Sequence, residues 1–422
     1  MTVSLRRTRR RCTRPRPRAA LGLLTLALTL LLAACGQGSL GADQVVTVTS
    51  TATAAPAASS SAPATKVRYS VTPAFGTTDI APDEKVSLTV FSGTIADLTV
   101  KADDGTPVTG TLSDDKSTWT LDQRLAYNTV YTFTGTAAAK DGAGSVPITG
   151  ALTTVKPEKT VRASFQIPPG TTVGVAAPII ITFAEPIDDK AAAERTFSVT
   201  TDKGPIEGSW GWLQDEDIQG TGTEQSIVHF RPAQYWPAYT NVHVEAKLAG
   251  VKYGNGAWGQ EDISTDFTIG RKQVVQADVT SFHMVVLVDD KVVKNYPVSY
   301  GKESVPGRAT VSGVHVVTEK HPEFAMCNQQ FDYCGVNEKW AVRINNNGEF
   351  IHENPQAAPY LGKENVSHGC INMGSPDAEE YYNSALYGDP VEVTNTGAQM
   401  SEKDYIYDWI YPYDKWKTLS AL

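Results

Sequence analysis

Cysteine is scarce in this chain: 422 residues contain five, Cys12, Cys35, Cys327, Cys334 and Cys370. Long apolar runs are missing too. The apolar run LGLLTLALTLLLAA spans residues 21–34, fourteen residues, where a transmembrane helix needs about 20. Acid is absent from the first twenty residues, which hold eight arginines. A basic stretch followed by a short apolar run reads as a signal peptide. Without those eight arginines the chain keeps 29 basic against 46 acidic residues, a net of −17. That balance gives no electrostatic reason to bind nucleic acid or an anionic membrane face. From Gly36 to about Lys66, large side chains are nearly absent, as in TSTATAAPAASSSAPAT. Such a segment cannot bury enough apolar surface to fold. It reads as a tether whose thirty residues reach roughly 30 Å root-mean-square.

The end of the apolar run, Leu32-Ala33-Ala34-Cys35, resembles the lipobox of bacterial lipoproteins. The resemblance implies that Cys35 is lipidated and becomes the first residue, and that the chain sits lipid-anchored on the outer face of the cytoplasmic membrane, facing the cell wall. Cys12 leaves with the leader. Cys327 and Cys334 enclose six residues in CNQQFDYC, and an exported chain lives where disulfides persist. Pairing them leaves Cys370 as a free thiol, a candidate reactive group. Pairing Cys370 with either of the two would leave a different orphan, and the spacing alone leaves that open.

The next two hundred residues contain an internal repeat. FGTTDIAPDEKVSLTVFSGTI and LAYNTVYTFTGTA in the first copy answer to PGTTVGVAAPIIITFAEPI and PAYTNVHVEAKLA in the second. Apolar residues alternate with polar ones, as at Val130 and Thr132 or Val242 and Val244, between Gly, Pro and Asn-Asp clusters. Period-two alternation means half-buried strands, and short strands at regular spacing suggest β-sandwiches of immunoglobulin-like size. Tyr127 and Tyr239 hold equivalent places and are candidate corner tyrosines. Trp119, Trp210, Trp212, Trp236 and Trp258 read as core or interdomain packing. Neither copy shows a catalytic constellation.

From Arg271 the chain stays strand-rich. HMVVLVDDKVVKNYPVSYG predicts a hairpin turning at Asp289-Asp290, and GVHVVTE, KWAVRINNNGEFIHE and PVEVTN predict further strands. SPDAEEYYNSALY predicts a helix, with Ser375 and Pro376 as cap and first-turn residues and Ala378, Tyr382 and Leu386 on one face. The aromatic tail DYIYDWIYPYDKWKTL must dock, and it is expected as a strap on the module before it. The expected boundaries are a leader at 1–34, a tether at 35–66, sandwiches at 67–156 and 157–270, a catalytic module at 271–396 and the strap at 397–422.

Chemistry concentrates in NVSHGCINMGSP at 365–376. A thiolate is the nucleophile of a cysteine enzyme and needs a base beside it near pH 7. His368 lies two residues before Cys370, and His352 lies near the end of the strand GEFIHE, eighteen residues earlier. Gly369 permits a turn tight enough to present the sulfur together with backbone N–H groups that could hold an oxyanion. Two other readings compete. His352, His368 and Cys370 could ligate zinc, though no fourth ligand is evident, or Cys370 could be a buried inert thiol beside an exposed histidine.

The string SHGCIN, with an upstream histidine at a strand end and PVSYGK…SGVHVV before it, resembles the L,D-transpeptidase catalytic domain, also called the YkuD domain, over residues 275–395. The lipobox, the tandem sandwiches and the DWIYPYDKW tail extend the likeness to the actinobacterial branch of that family over nearly the whole chain. The resemblance implies a mainly β protein: two immunoglobulin-like sandwiches, then a YkuD-type β-sandwich with one short helix, the nucleophile in a loop after a strand, and a C-terminal strap. It makes Cys370 the nucleophile and His352 the general base, with His368 and Gly369 shaping the nucleophile loop. Backbone N–H groups near Cys370 would form the oxyanion hole. Ser367 and Asn372 would line the pocket, Tyr333 would assist the oxyanion, and Glu319–Trp340 would form a lid. Glu353 departs from the Gly or Ser usual after the base, and its charge would alter the entrance; Asn372 replaces an arginine common in the wider family.

The implied reaction is ATP-independent acyl transfer through a Cys370 thioester. Tetrapeptide stems of peptidoglycan donate, and a 3→3 cross-link forms. Carbapenems would acylate the same sulfur, no metal or organic cofactor is required, and the chain is expected as a monomer. Two rivals differ in class: an L,D-carboxypeptidase with water as acceptor, and a wall-binding lipoprotein whose catalytic module is inert.

Overall fold

The computed structural model describes residues 66–422 except 143, 219, 332 and 405. The leader, Cys35 and all but the last residue of the tether lie outside the described residues.

The first sandwich pairs a four-stranded sheet, in the order Arg68–Thr72, Ser87–Phe91, Thr118–Leu121, Gly110–Leu112, with a three-stranded sheet of Gly93–Ala102, Val130–Ala139 and Ser145–Thr153. Leu88, Val90, Trp119, Phe133, Ile148 and Leu152 fill the space between. The alternation expected around Val130 is present in the opposite phase. Tyr131 and Phe133 point inward and Val130 lies at the surface, because a period of two leaves the choice of face to whichever register buries more apolar area. In the second copy Val242 and Val244 do point inward. There the sheets are Thr172–Val173, Ile263–Ile269, Thr240–Ala246, Phe197–Thr201 and Gly208–Trp212, Ile227–Pro232, Ile179–Phe183, Ala163–Phe165.

The two equivalent tyrosines act at joints instead of corners. The Tyr127 hydroxyl donates to the Gly259 carbonyl at 2.8 Å and accepts the Gly250 N–H at 2.9 Å, both in the next sandwich. Tyr239, largely exposed, reaches Asp289 of the module after its own at 3.4 Å. The corner role in the first sandwich falls to Tyr131, whose hydroxyl accepts the Ala126 N–H at 2.7 Å. Trp119, Trp210, Trp212 and Trp236 are core residues and Trp258 packs edge-on to Tyr127 across the joint.

The third module packs a five-stranded sheet, ordered Lys291–Pro297, His283–Val288, Gln273–Asp278, Pro390–Thr394, Gly313–Val316, against Glu319–Asn328, Tyr333–Arg343, Phe350–Glu353 and Ile371–Met373. Val275, Met284, Val286, Ile351, Ile371 and Val391 form its core. The hairpin turns at Asp289 and Asp290, both at positive φ of 50° and 64°, the backbone that a two-residue type I′ turn requires.

The helix spans Ser375–Ser384, starting one residue earlier than expected. Gly374 occupies the cap position, and the Ser375 hydroxyl instead donates to Glu353 Oε1 at 2.7 Å. Its inward face carries Ala378 and Tyr381; Leu386 falls beyond its end, and Tyr382 is half-buried against Trp340.

The strap differs most from expectation. It begins on the third module, where Gln399 bridges to Ser312, but its aromatic half docks on the second sandwich. Asp408 accepts from His229 Nδ1 at 3.0 Å with both side chains fully buried. The Arg231 guanidinium lies over the rings of Trp409, Tyr413 and Trp416 at 4.6, 5.6 and 5.4 Å. The Trp416 ring is fully buried and donates to the Ser209 carbonyl at 2.9 Å. Cation–π contact and aromatic burial are both strongest on a desolvated surface, and this sandwich supplies one. The third module is fastened to the same sandwich by the Tyr235 hydroxyl on Glu392 at 2.9 Å.

Candidate active site

Cys370 ends a tight turn that enters the strand Ile371–Met373, in the loop that follows the strand Phe350–Glu353. The turn is held from inside. Ser367 is buried, and its hydroxyl donates to the Cys370 carbonyl at 2.6 Å while accepting the Gly369 N–H at 3.1 Å. Thr310 donates from Oγ1 to the Gly369 carbonyl at 2.7 Å. Gly369 has φ +126°, and a Cβ there would meet Glu349 only at an ordinary 3.6 Å, so conformation and not space demands glycine. Ser367 Oγ accepts the Gly369 N–H, so this loop amide is already engaged.

Parallel pairing of Phe350–Glu353 with Ile371–Met373 sets His352 opposite Asn372, and therefore beside Cys370. His352 is 4% exposed. Its Nδ1 donates to the Glu353 carbonyl at 2.7 Å, which turns the other nitrogen to the thiol. Burial opposes charge on this ring, yet the adjacent Cys370 sulfur and Glu338 carboxylate outweigh it and push the imidazole up to about 10. A ring held protonated beside a sulfur favours the thiolate. His368, half-buried, is lowered by desolvation and by the nearby Arg308 guanidinium, and packs at a tilt against Phe331 with ring centres 5.1 Å apart. The two histidines therefore have opposite electrostatics: one holds a proton, the other sheds it.

Glu353 does not reach the entrance. Its side chain is 8% exposed and turned to Ser375, and only its carbonyl serves the site. Asn372 is buried, lines the cavity and exchanges backbone hydrogen bonds with Ser299. Tyr333 opens a lid strand opposite Asn328, and its side chain lies outside what is described. Cys327 and Cys334 form a disulfide near the tip of the lid hairpin, and Cys370 is free. The zinc reading finds no support: among the described residues no three of His, Cys, Asp and Glu gather to hold a metal.

Cys370 and His368 are shared by two cavities. One, about 470 Å³, is lined by Met326, Phe331, Val336, Glu338, His352 and Asn372; the other, about 600 Å³, by Phe324, Arg343, Gly348, Glu349 and Phe350.

Comparison with known proteins matches residues 77–252 to a bacterial Ig domain and residues 272–393 to the L,D-transpeptidase catalytic domain. L,D-transpeptidase 5 of Mycobacterium tuberculosis is 46% identical over 85% of this chain and 78% of its own length. The chain belongs to the L,D-transpeptidase family. L,D-transpeptidase 2 of the same species is 33% identical over 84% of this chain and 85% of its own. A solved L,D-transpeptidase 3 of that species, in complex with a faropenem-derived adduct, is 29% identical over 55% of this chain and 97% of its own, with a TM-score of 0.43. As a member of this family the chain is an acyltransferase of peptidoglycan cross-linking.

Three residues of this L,D-transpeptidase site went unnoticed in the sequence. Thr310 braces the nucleophile turn directly, and Glu349 lies against Gly369 while accepting the Val311 N–H; both come from segments twenty to sixty residues away, and no local pattern marks them. Glu338 had a faint signal. It is an acid on the same strand face as Val336 in a lid expected to cover the site.

Proposed function

We propose that this chain forms 3→3 peptidoglycan cross-links through a Cys370 thioester, with tetrapeptide stems as donors. The carrying observation is that Cys370, beside His352, lies where two cavities meet. A two-substrate acyl transfer needs one path for the donor and another for the amine that accepts it. The thiolate attacks the donor carbonyl carbon, the C–N bond breaks, and the departing nitrogen takes the electron pair and the proton from His352. D-Ala leaves. The acceptor amine then attacks the thioester, its proton passes to the neutral imidazole, and the thiolate is released. Backbone N–H groups near Cys370 would hold the developing oxyanion. Carbapenems, whose strained amide mimics the donor, are covalent inhibitors under the same scheme.

The inert-module reading loses its motive, because Glu353 presents a carbonyl to His352 and keeps its charge away from the cavity. We further propose a lipid at Cys35 and a position on the outer face of the cytoplasmic membrane, on the strength of the Leu-Ala-Ala-Cys sequence. Purified chain incubated with disaccharide-tetrapeptide and read by mass should give a dimer less one D-Ala. Hydrolysed tripeptide alone would favour a carboxypeptidase. A carbapenem should add one drug mass to the wild type, none to Cys370→Ala, and should react about a hundredfold more slowly or worse with His352→Ala.

A further inference from the structure

We infer that Glu338, carried on the lid strand, is a positioning residue for acyl transfer: its carboxylate holds the His352 ring charged and aimed at Cys370 when the lid covers the site. The inference rests on the proposed Cys370–His352 chemistry. A Glu338 oxygen lies 3.6 Å from His352 Nδ1, with the two side chains 11% and 5% exposed. The Nδ1 hydrogen already goes to the Glu353 carbonyl at 2.7 Å, so the carboxylate acts on the ring through its charge. Between buried groups such an interaction is little screened by solvent.

The lid backbone is shaped to deliver this group. The lid strand is anchored to the strand bearing His352 by two pairs, Val342 with Ile351 and Arg343 with Phe350. Beyond that anchor, Trp340 has φ +54°, a left-handed backbone unusual for so large a side chain and one that marks functional strain where it occurs. The Trp340 ring is steadied against Tyr382 at 5.3 Å. Two residues past this bend Glu338 is buried, while Asn337 and Lys339 beside it are exposed. The strand then continues to Cys334, whose disulfide clips the hairpin. An acid on a lid face that otherwise presents Met326, Phe331 and Val336 to the cavity has no reason to be buried unless a cation receives it.

The other titratable groups around His352 do not duplicate this role. Cys370 is the reaction partner. His368, in the adjoining turn, is lowered by burial and Arg308 and does not carry a balancing charge near neutral pH. The Glu353 carboxyl is turned to Ser375. Glu349 lies under Gly369, and burial raises it to about 8, so near neutrality it is largely uncharged. Among the described residues, Glu338 is the acid left facing the ring.

The consequence is a pH effect with a defined sign. A carboxylate beside the imidazole raises its pKa, so the protonated ring that must hand a proton to the departing nitrogen survives to higher pH, and removing the carboxylate lowers that limit. The test uses the full chain and imipenem. The rate of β-lactam ring opening and the mass gained are measured from pH 5 to 10, with Cys370→Ala as the background. Glu338→Gln keeps shape and hydrogen bonding but removes the charge, and it should move the alkaline fall in acylation rate down by about one to three pH units. The rate at pH 9 should fall about twofold for a move of one unit and about a hundredfold for a move of three, and Glu338→Asp should restore most of it. An unchanged alkaline limb in Glu338→Gln, or weaker drug binding with an unchanged limb, overturns the positioning role while leaving the acyl-enzyme reading intact. A wild type that gains no drug mass at any pH overturns that reading, and this inference with it.

Discussion

Replacing Ser367 by Ala tests whether the nucleophile turn is braced from within. Its hydroxyl makes two hydrogen bonds, 2.6 Å to the Cys370 carbonyl and 3.1 Å from the Gly369 N–H, and the side chain is 6% exposed. Removing it leaves one donor and one acceptor without their partner. A buried polar group so abandoned costs about 1–3 kcal/mol. The cavity beside Ser367 can admit water to one of the two, so the destabilisation should total about 1–3 kcal/mol. Part of that loss will appear as disorder of the turn in a chain that still folds, and each 1.4 kcal/mol spent on restoring the turn slows acylation about tenfold. Urea unfolding followed by tryptophan fluorescence reads the first quantity. Imipenem acylation at pH 7 reads the second, expected ten- to a hundredfold slower. A variant within about 0.5 kcal/mol of wild type that acylates at the wild-type rate would refute the bracing role and return Ser367 to a passive wall of the pocket.

Three further outcomes are expected. Glu349 is buried and its carboxyl is raised to about 8, above its ordinary value near 4.5, so the stability it supplies is complete below pH 4.5 and is lost as pH rises through about 8. Glu349→Gln should therefore flatten the decline in urea midpoint between pH 5 and 8.5, and an unaltered slope would count against it. Trp416→Ala removes a fully buried indole and its hydrogen bond to Ser209; a loss of about 3–5 kcal/mol and rapid trimming of the tail by protease should follow, whereas a protease-resistant tail would contradict the docking. Disrupting the lid disulfide with Cys327→Ser plus Cys334→Ser should cost about 2–3 kcal/mol for so short a loop, with protease cuts concentrating in the lid hairpin. Cleavage rates equal to wild type would show that the hairpin does not need the clip.

Much of this protein was legible in its sequence because the signals are local. Period-two alternation gives strands wherever one sheet face is buried, and the Asp289-Asp290 turn follows from two residues that tolerate positive φ. The triplet His368-Gly369-Cys370 with His352 upstream outlines a nucleophile and a base because thiol chemistry demands both. What the tertiary structure alone decided is every relation that depends on which surfaces meet. Alternation around Val130 did not reveal which face turns inward, since a slip of one residue exchanges the faces and the opposing sheet sets the balance. Tyr127 and Tyr239 read as corners until their hydroxyls met the neighbouring modules. The aromatic tail announced that it would dock, but only the Arg231 surface of the second sandwich explains where. Glu353 looked like a charge at the entrance because its rotamer depends on Ser375, twenty-two residues on. Glu338 acquires its place beside His352 through a bend at Trp340 and a hairpin register, and such through-space proximity between buried charges has no counterpart in sequence spacing.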